Sequence, residues 1–317
     1  MLENLNLRVG AGAVFALLAA FAPVLAQDEA AVFRSDSKLV VLHATVLDET
    51  GHRVTSLSQS AFKVHENGVE QAIKVFRRED APVSIGLIVD DSESMVRKRE
   101  KVAAAAMALI KASHPDDEVF ILHFNEKAYL DTDFTGDRAL LETGLRTFDS
   151  RGATAMRDAL RLAITHSERR AREDKKVLVV VTDGEDNASL TSQSYLVKNA
   201  QQSGVLIYTI GILGEEGADS TRRAQKDLDS FTQATGGKAY YLDDVSGADA
   251  TAQEIAREVR DQYTVAYTPT NDRLDGTYRK IQVSAAGPNG LVVRTRSGYY
   301  AGGENAARNS PPSDDAK

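Results

Sequence analysis

The sequence predicts an α/β fold, a doubly wound and mostly parallel sheet, inserted in a small β-rich, sandwich-like domain. Three observations carry this expectation. Between Pro82 and Gln262, short runs that are apolar on both faces alternate with helical stretches, as in a sheet covered by helices on both sides. Before and after that region the pattern becomes alternating residues and two-residue turns, which is how antiparallel strands read. Neither flanking segment has enough strands to be stable alone, so the two are expected to meet, with the α/β region inserted between them.

The elements follow in order. Residues 1–26 read as a signal peptide. Arg8 precedes the uncharged run "VGAGAVFALLAAFAPVLA", and Val24 and Ala26 put small residues where a signal peptidase cuts, so cleavage before Gln27 is expected. An uncleaved anchor is the weaker alternative, because the run is near the lower length limit for a bilayer span and Pro23 lies close to its end. The mature protein is therefore expected to be exported (periplasmic, extracellular or at the cell surface), with no stable membrane insertion. In the β segment 33–80, Val40, Leu42, Ala44 and Val46 share one strand face, and "DETG" is a turn. Asn67-Gly68 marks a hairpin, since both residues tolerate positive φ; that register sets Phe62 across from Ile73.

In the α/β region, 82–262, the expected strands are "VSIGLIVD", "EVFILHF", "KVLVVVTD", "VLIYTIGIL" and "KAYYL". The expected helices include 98–113, 155–172, 192–203, 221–235 and 248–262. "KAYLDTDF" follows the second strand too closely for a crossover helix, so it reads as an antiparallel edge strand. The β segment 263–300 contains "YTVAYTP", "YRKIQVSAA" and "LVVRTRSGYY", with a second hairpin turn at Asn289-Gly290. The tail 301–317 has almost nothing to bury and reads as disordered.

Composition narrows the function classes. The 317 residues are 42% apolar and 26% charged, ordinary values for a soluble globular chain. A net charge of -8 disfavours a nucleic-acid backbone or an anionic membrane surface as partner. The absence of cysteine excludes disulfides, thiolate metal sites, cysteine nucleophiles and a lipidated cysteine anchor.

Ligands of open α/β sheets bind outside the carboxyl ends of the strands, and three polar segments should meet there. They are Asp90-Asp91-Ser92-Glu93-Ser94, then "SRGATAM" with Thr154 just before a helix, and "VVVTDGED" with Thr182 and Asp183 at a strand end. In an extended backbone, alternate side chains point the same way, so Asp90, Ser92 and Ser94 would converge. Thr154 adds a hydroxyl and Asp183 a second carboxylate. All are hard oxygen donors, a set suited to Mg2+ or Mn2+ with water completing an octahedron. The alternative is structural: Asp91 or Ser94 capping the next helix, and Asp183-Gly184 as a turn.

At these residues the chain resembles the von Willebrand factor type A family. Its metal-ion-dependent adhesion site has the pattern D-x-S-x-S, a distant Thr and a distant Asp, matched here by Asp90, Ser92, Ser94, Thr154 and Asp183. The resemblance covers 82–262, and the wider chain is similar to bacterial exported proteins with this domain between β segments. It implies a Rossmann-like fold and divalent-cation-dependent binding of a protein ligand through an acidic residue of that partner. One position departs from the pattern: Glu93 stands where many members have glycine, placing a negative side chain beside the site.

Enzyme readings find less support. An aspartate-nucleophile hydrolase wants a second aspartate where Ser92 stands. There is no Walker lysine motif, no H-E-x-x-H among the six histidines and no G-x-S-x-G elbow. "GILGEEG" lacks dinucleotide spacing, and His123 lies in an apolar strand as a core residue. Asn187 opens a glycosylation sequon, and Arg169, Arg170 and Arg172 read as a solvated helix end. The expected function is a non-enzymatic binding protein. The rival is a metal-assisted hydrolase using the same site, with Glu93 or Asp91 as base; a further alternative is a structural module with a vestigial site.

Overall fold

Strands that are apolar on both faces need cover on both faces, and a computed structural model shows how this chain provides it. The structure describes residues 39–78, 81–146, 150–213, 217–287 and 290–302. Residues 1–26, read from the sequence as a signal peptide, part of "GILGEEG", Asn289 and most of the tail lie outside the described residues.

The chain opens with β1 (Val40–Leu47), β2 (Phe62–Glu66), β3 (Val69–Gln71) and β4 (Ile73–Arg77). The α/β region follows: β5 (Ser84–Asp90), α1 (Arg99–Ala112), β6 (Glu118–Phe124), β7 (Ala128–Thr135), α2 (Arg138–Gly144), α3 (Met156–Arg170), β8 (Lys176–Thr182), α4 (Gln193–Ser203), β9 (Leu206–Ile212), α5 (Ala218–Thr235), β10 (Ala239–Leu242) and α6 (Ala248–Asp261). It closes with β11 (Tyr263–Tyr267), β12 (Tyr278–Ala285), β13 (Val292–Arg294) and β14 (Gly298–Tyr300).

Six strands form the central sheet in the order β10-β9-β8-β5-β6-β7. All neighbours are parallel except β6 and β7, so "KAYLDTDF" is the antiparallel edge. The period-2 alternation sorts side chains to two faces. Ile85, Leu87, Val89, Val177, Val179 and Val181 pack under α1 and α6. Ile88, Phe120, Leu122, Leu178, Val180 and Ile207 pack under α3, α4 and α5. This places β5 and β8 side by side, and their carboxyl ends leave the sheet together.

The flanking strands form two antiparallel sheets, β13-β1-β11-β4 and β14-β12-β2-β3, each drawing strands from both ends of the chain. Val40, Leu42, Ala44 and Val46 of β1 share a core with Phe62, Val64, Tyr263, Val265 and Ile281 from both sheets. The α/β domain is thus inserted in a sandwich, with Gln262 alone separating α6 from β11.

One expectation is corrected. Asn67 (φ 48°) and Gly68 (φ 84°) make the hairpin turn, but its ladder stops at Val64–Gln71. Ile73 then crosses to the other sheet and pairs with Tyr267, while Phe62 pairs with Ala285. A short hairpin buries one face of β2, and the chain switches sheets to cover the rest of the core. The helix α2 is short, and Asp137 caps it by accepting from the Ala139 and Leu140 amides.

Candidate metal centre

Asp90 ends β5 and Asp183 directly follows β8, so two carboxylates emerge from neighbouring parallel strands. Both are fully buried. Asp90 accepts from the Ser92 amide at 2.9 Å and from the Thr182 hydroxyl at 2.5 Å. Burial pushes the Asp90 carboxyl up to about 6. The hydrogen bonds from Thr182 and Ser92 act against that rise, and the neighbouring charge of Asp183 adds to it. Asp183 Oδ1 accepts from Ser94 Oγ at 2.7 Å, and Ser94 Oγ lies 3.1 Å from Ser92 Oγ.

The serines converge differently from the extended run the sequence implied. Ser92 is extended (φ -72°, ψ 168°), but Glu93–Arg97 forms a 3-10 turn, and this turn swings Ser94 back over Asp183. Asp91 faces the other way: its Oδ1 accepts from both the amide and the hydroxyl of Ser150 at 2.7 Å. Neither Asp91 nor Ser94 caps α1, whose N-cap position is Lys98 with no side-chain capping bond. Asp91 instead fastens the Thr154 loop to the first loop, helped by Arg151 N to Asp91 O (3.1 Å) and Glu93 N to Gly152 O (3.3 Å). Glu93 itself is exposed at the rim.

Thr154 is buried and joined to the third loop through its backbone. Its N–H donates to Asn187 Oδ1 at 2.9 Å, and its carbonyl accepts from the Asn187 and Ala188 amides at 3.0 and 3.1 Å. Asn187, read from sequence as a sequon, thus links two of the three loops. Asp90, Ser92, Ser94 and Asp183 form one bonded cluster; Thr154 stands on the adjoining loop, its hydroxyl outside that cluster.

One participant escaped the sequence reading. Lys98 Nζ donates to Asp183 Oδ2 at 2.7 Å, with 9% of the lysine side chain exposed and none of the aspartate's. Its only signal was its spacing, one turn beyond Ser94. The donor set as a whole, two buried carboxylates with neutral hydroxyls and no nitrogen or sulfur, fits a small hard divalent cation. Two buried anions also need compensating charge, and within the cluster the Lys98 ammonium supplies one unit of it.

Other residues singled out in the sequence are structural. His123 Nδ1 lies 2.5 Å from Asp131 Oδ2. Arg170 pairs with Asp133, and Arg172 Nε donates to the buried Glu118 at 2.6 Å, so the basic cluster does more than end a helix in solvent. Among the described residues, no helix is long and apolar enough to cross a membrane.

Residues 85–185, a stretch containing all five candidate donors, match the family model of the von Willebrand factor type A domain. The chain is 31% identical over 166 residues to calcium-activated chloride channel regulator 1 of Mus musculus; the match covers 50% of this chain and 17% of that relative's length. Among solved structures it is similar to a von Willebrand factor type A protein from Catenulispora acidiphila, at 14% identity and a TM-score of 0.49 over 86% of this chain and 76% of the other. It is also similar to proximal thread matrix protein 1 of the mussel byssus, solved with a zinc-occupied MIDAS motif, at 16% identity and a TM-score of 0.49 over 62% and 50% of the two chains.

Proposed function

Because this chain carries a von Willebrand factor type A domain, we propose that it is an exported, non-enzymatic binding protein that docks a protein ligand through a divalent cation. Asp90, Ser92, Ser94, Thr154 and Asp183 would hold the cation, Mg2+ or Mn2+. Few carboxylates and several neutral hydroxyls leave such a cation electrophilic enough to accept a carboxylate oxygen from the partner. The observation that carries the reading is the part-buried bond from Ser94 to the fully buried Asp183, which joins the D-x-S-x-S loop to the end of a different strand. Val96 and the almost wholly exposed Leu190 lie on these same two loops and offer apolar contact beside the cation.

The hydrolase reading is weaker, because Asp91, one of its two candidate bases, is bound to Ser150 and faces away from the cluster. Calorimetric titration with MnCl2 tests the proposal. Wild type is expected to bind one ion, and Asp90→Ala and Asp183→Ala to lose the binding. No binding by wild type would refute it. Turnover of generic phosphate or ester substrates that vanishes in Asp90→Ala would replace it with the hydrolase.

A further inference from the structure

We infer that Lys98 is a tethered cation that competes with the divalent ion for Asp183 and so sets the affinity of the site; this rests on the metal-binding reading above. Three features of the lysine point to it. Its ammonium lies 2.7 Å from a carboxylate oxygen proposed as a metal ligand. It is buried, which is rare for lysine unless it is paired. It also stands at the amino end of α1, where the helix dipole disfavours a positive charge. Its position is unfavourable on helical grounds and is held by Asp183.

The consequence is a site with two ways to satisfy its anions. Without a divalent ion, the ammonium on Oδ2 and the Ser94 hydroxyl on Oδ1 occupy both oxygens of Asp183. This keeps the first and third loops together while the cation is absent. With the ion, a second positive charge enters a few ångströms from the first, so the ammonium must yield its place, and its flexible four-carbon stem lets it swing toward the rim. The divalent ion therefore binds more weakly than the oxygen donors alone would allow.

Calorimetric titration of the whole chain with MgCl2 or MnCl2 tests this, comparing wild type with Lys98→Met and Lys98→Arg. The expected result is tighter binding by Lys98→Met, about tenfold or more, with Lys98→Arg close to wild type. Thermal unfolding should show the matching pattern: Lys98→Met melts lower than wild type without metal and gains more on adding it. Lys98→Gln keeps a hydrogen-bond donor for Asp183 without the charge, and gives the same reading if Lys98→Met does not fold. Equal or weaker binding by the neutral variants, with wild type binding normally, overturns the role of Lys98 and leaves the metal site standing. Absence of binding in every variant overturns the metal site itself.

Discussion

Asp183 has no exposed surface, yet it accepts bonds from a hydroxyl and an ammonium that reach it from a separate loop. Removing such a carboxylate breaks a buried ion pair from one side, so Asp183→Ala should cost about 3–5 kcal/mol in metal-free urea unfolding. A loss near zero would mean that Lys98 finds water easily. Glu118 poses a parallel question far from the site. Burial alone would raise its carboxyl, but bonds from the Arg172 amide, Ser84 and the Arg172 guanidinium outweigh it and hold the group below its ordinary value. Its stabilising effect is then fully present above the ordinary glutamate range and is lost as pH falls through the lowered folded value. Glu118→Gln should therefore be less stable than wild type at neutral pH by about 1–3 kcal/mol, with the gap closing in strong acid. A gap that persists in acid would assign the loss to packing. That Asp90, Ser92, Ser94 and Asp183 meet was legible because polar residues at the carboxyl ends of strands gather at one edge of an open α/β sheet. Lys98 was not, since a lysine at a helix start looks the same in sequence whether it meets solvent or a buried carboxylate.

At the scale of elements, the central sheet could be read because doubly apolar strands have few other uses. The sheet switch between Gln71 and Ile73 could not, because the hairpin register continues on paper and only the demands of the sandwich core interrupt it. The turn from α5 to β10 shows a constraint of the same kind. A Cβ on Gly237 would lie 1.9 Å from the Ile207 carbonyl oxygen, and one on Gly236, at φ 89°, would meet the backbone of Thr295 and Arg296. Neither neighbour is a movable side-chain tip. Gly237→Ala is expected to destabilise the fold by about 1–3 kcal/mol or more in urea unfolding, and unchanged stability would show that β9 and β10 can separate there.

For the whole molecule, the insertion puts the candidate site and the sandwich at opposite ends of the central strands, which raises the question of what couples them. Glu258 of α6 is buried and accepts from Tyr208 at 2.7 Å and Tyr240 at 3.4 Å in the α/β domain, and from Arg294 in the sandwich. Gln262 donates to Tyr208 at 3.1 Å and to Thr45 of β1 at 3.2 Å. With these shared groups the two parts should unfold in one calorimetric transition. Glu258→Gln should lower it by about 3 kcal/mol or more; two separate transitions in wild type would show that the domains are uncoupled. The central claim concerns the other end of the strands. It is tested most directly by anomalous diffraction from crystals of the protein soaked in MnCl2. A manganese peak among Asp90, Ser92, Ser94, Thr154 and Asp183, with Lys98 withdrawn from Asp183, is the predicted result. Lys98 still on Asp183 with no peak between these side chains would contradict it.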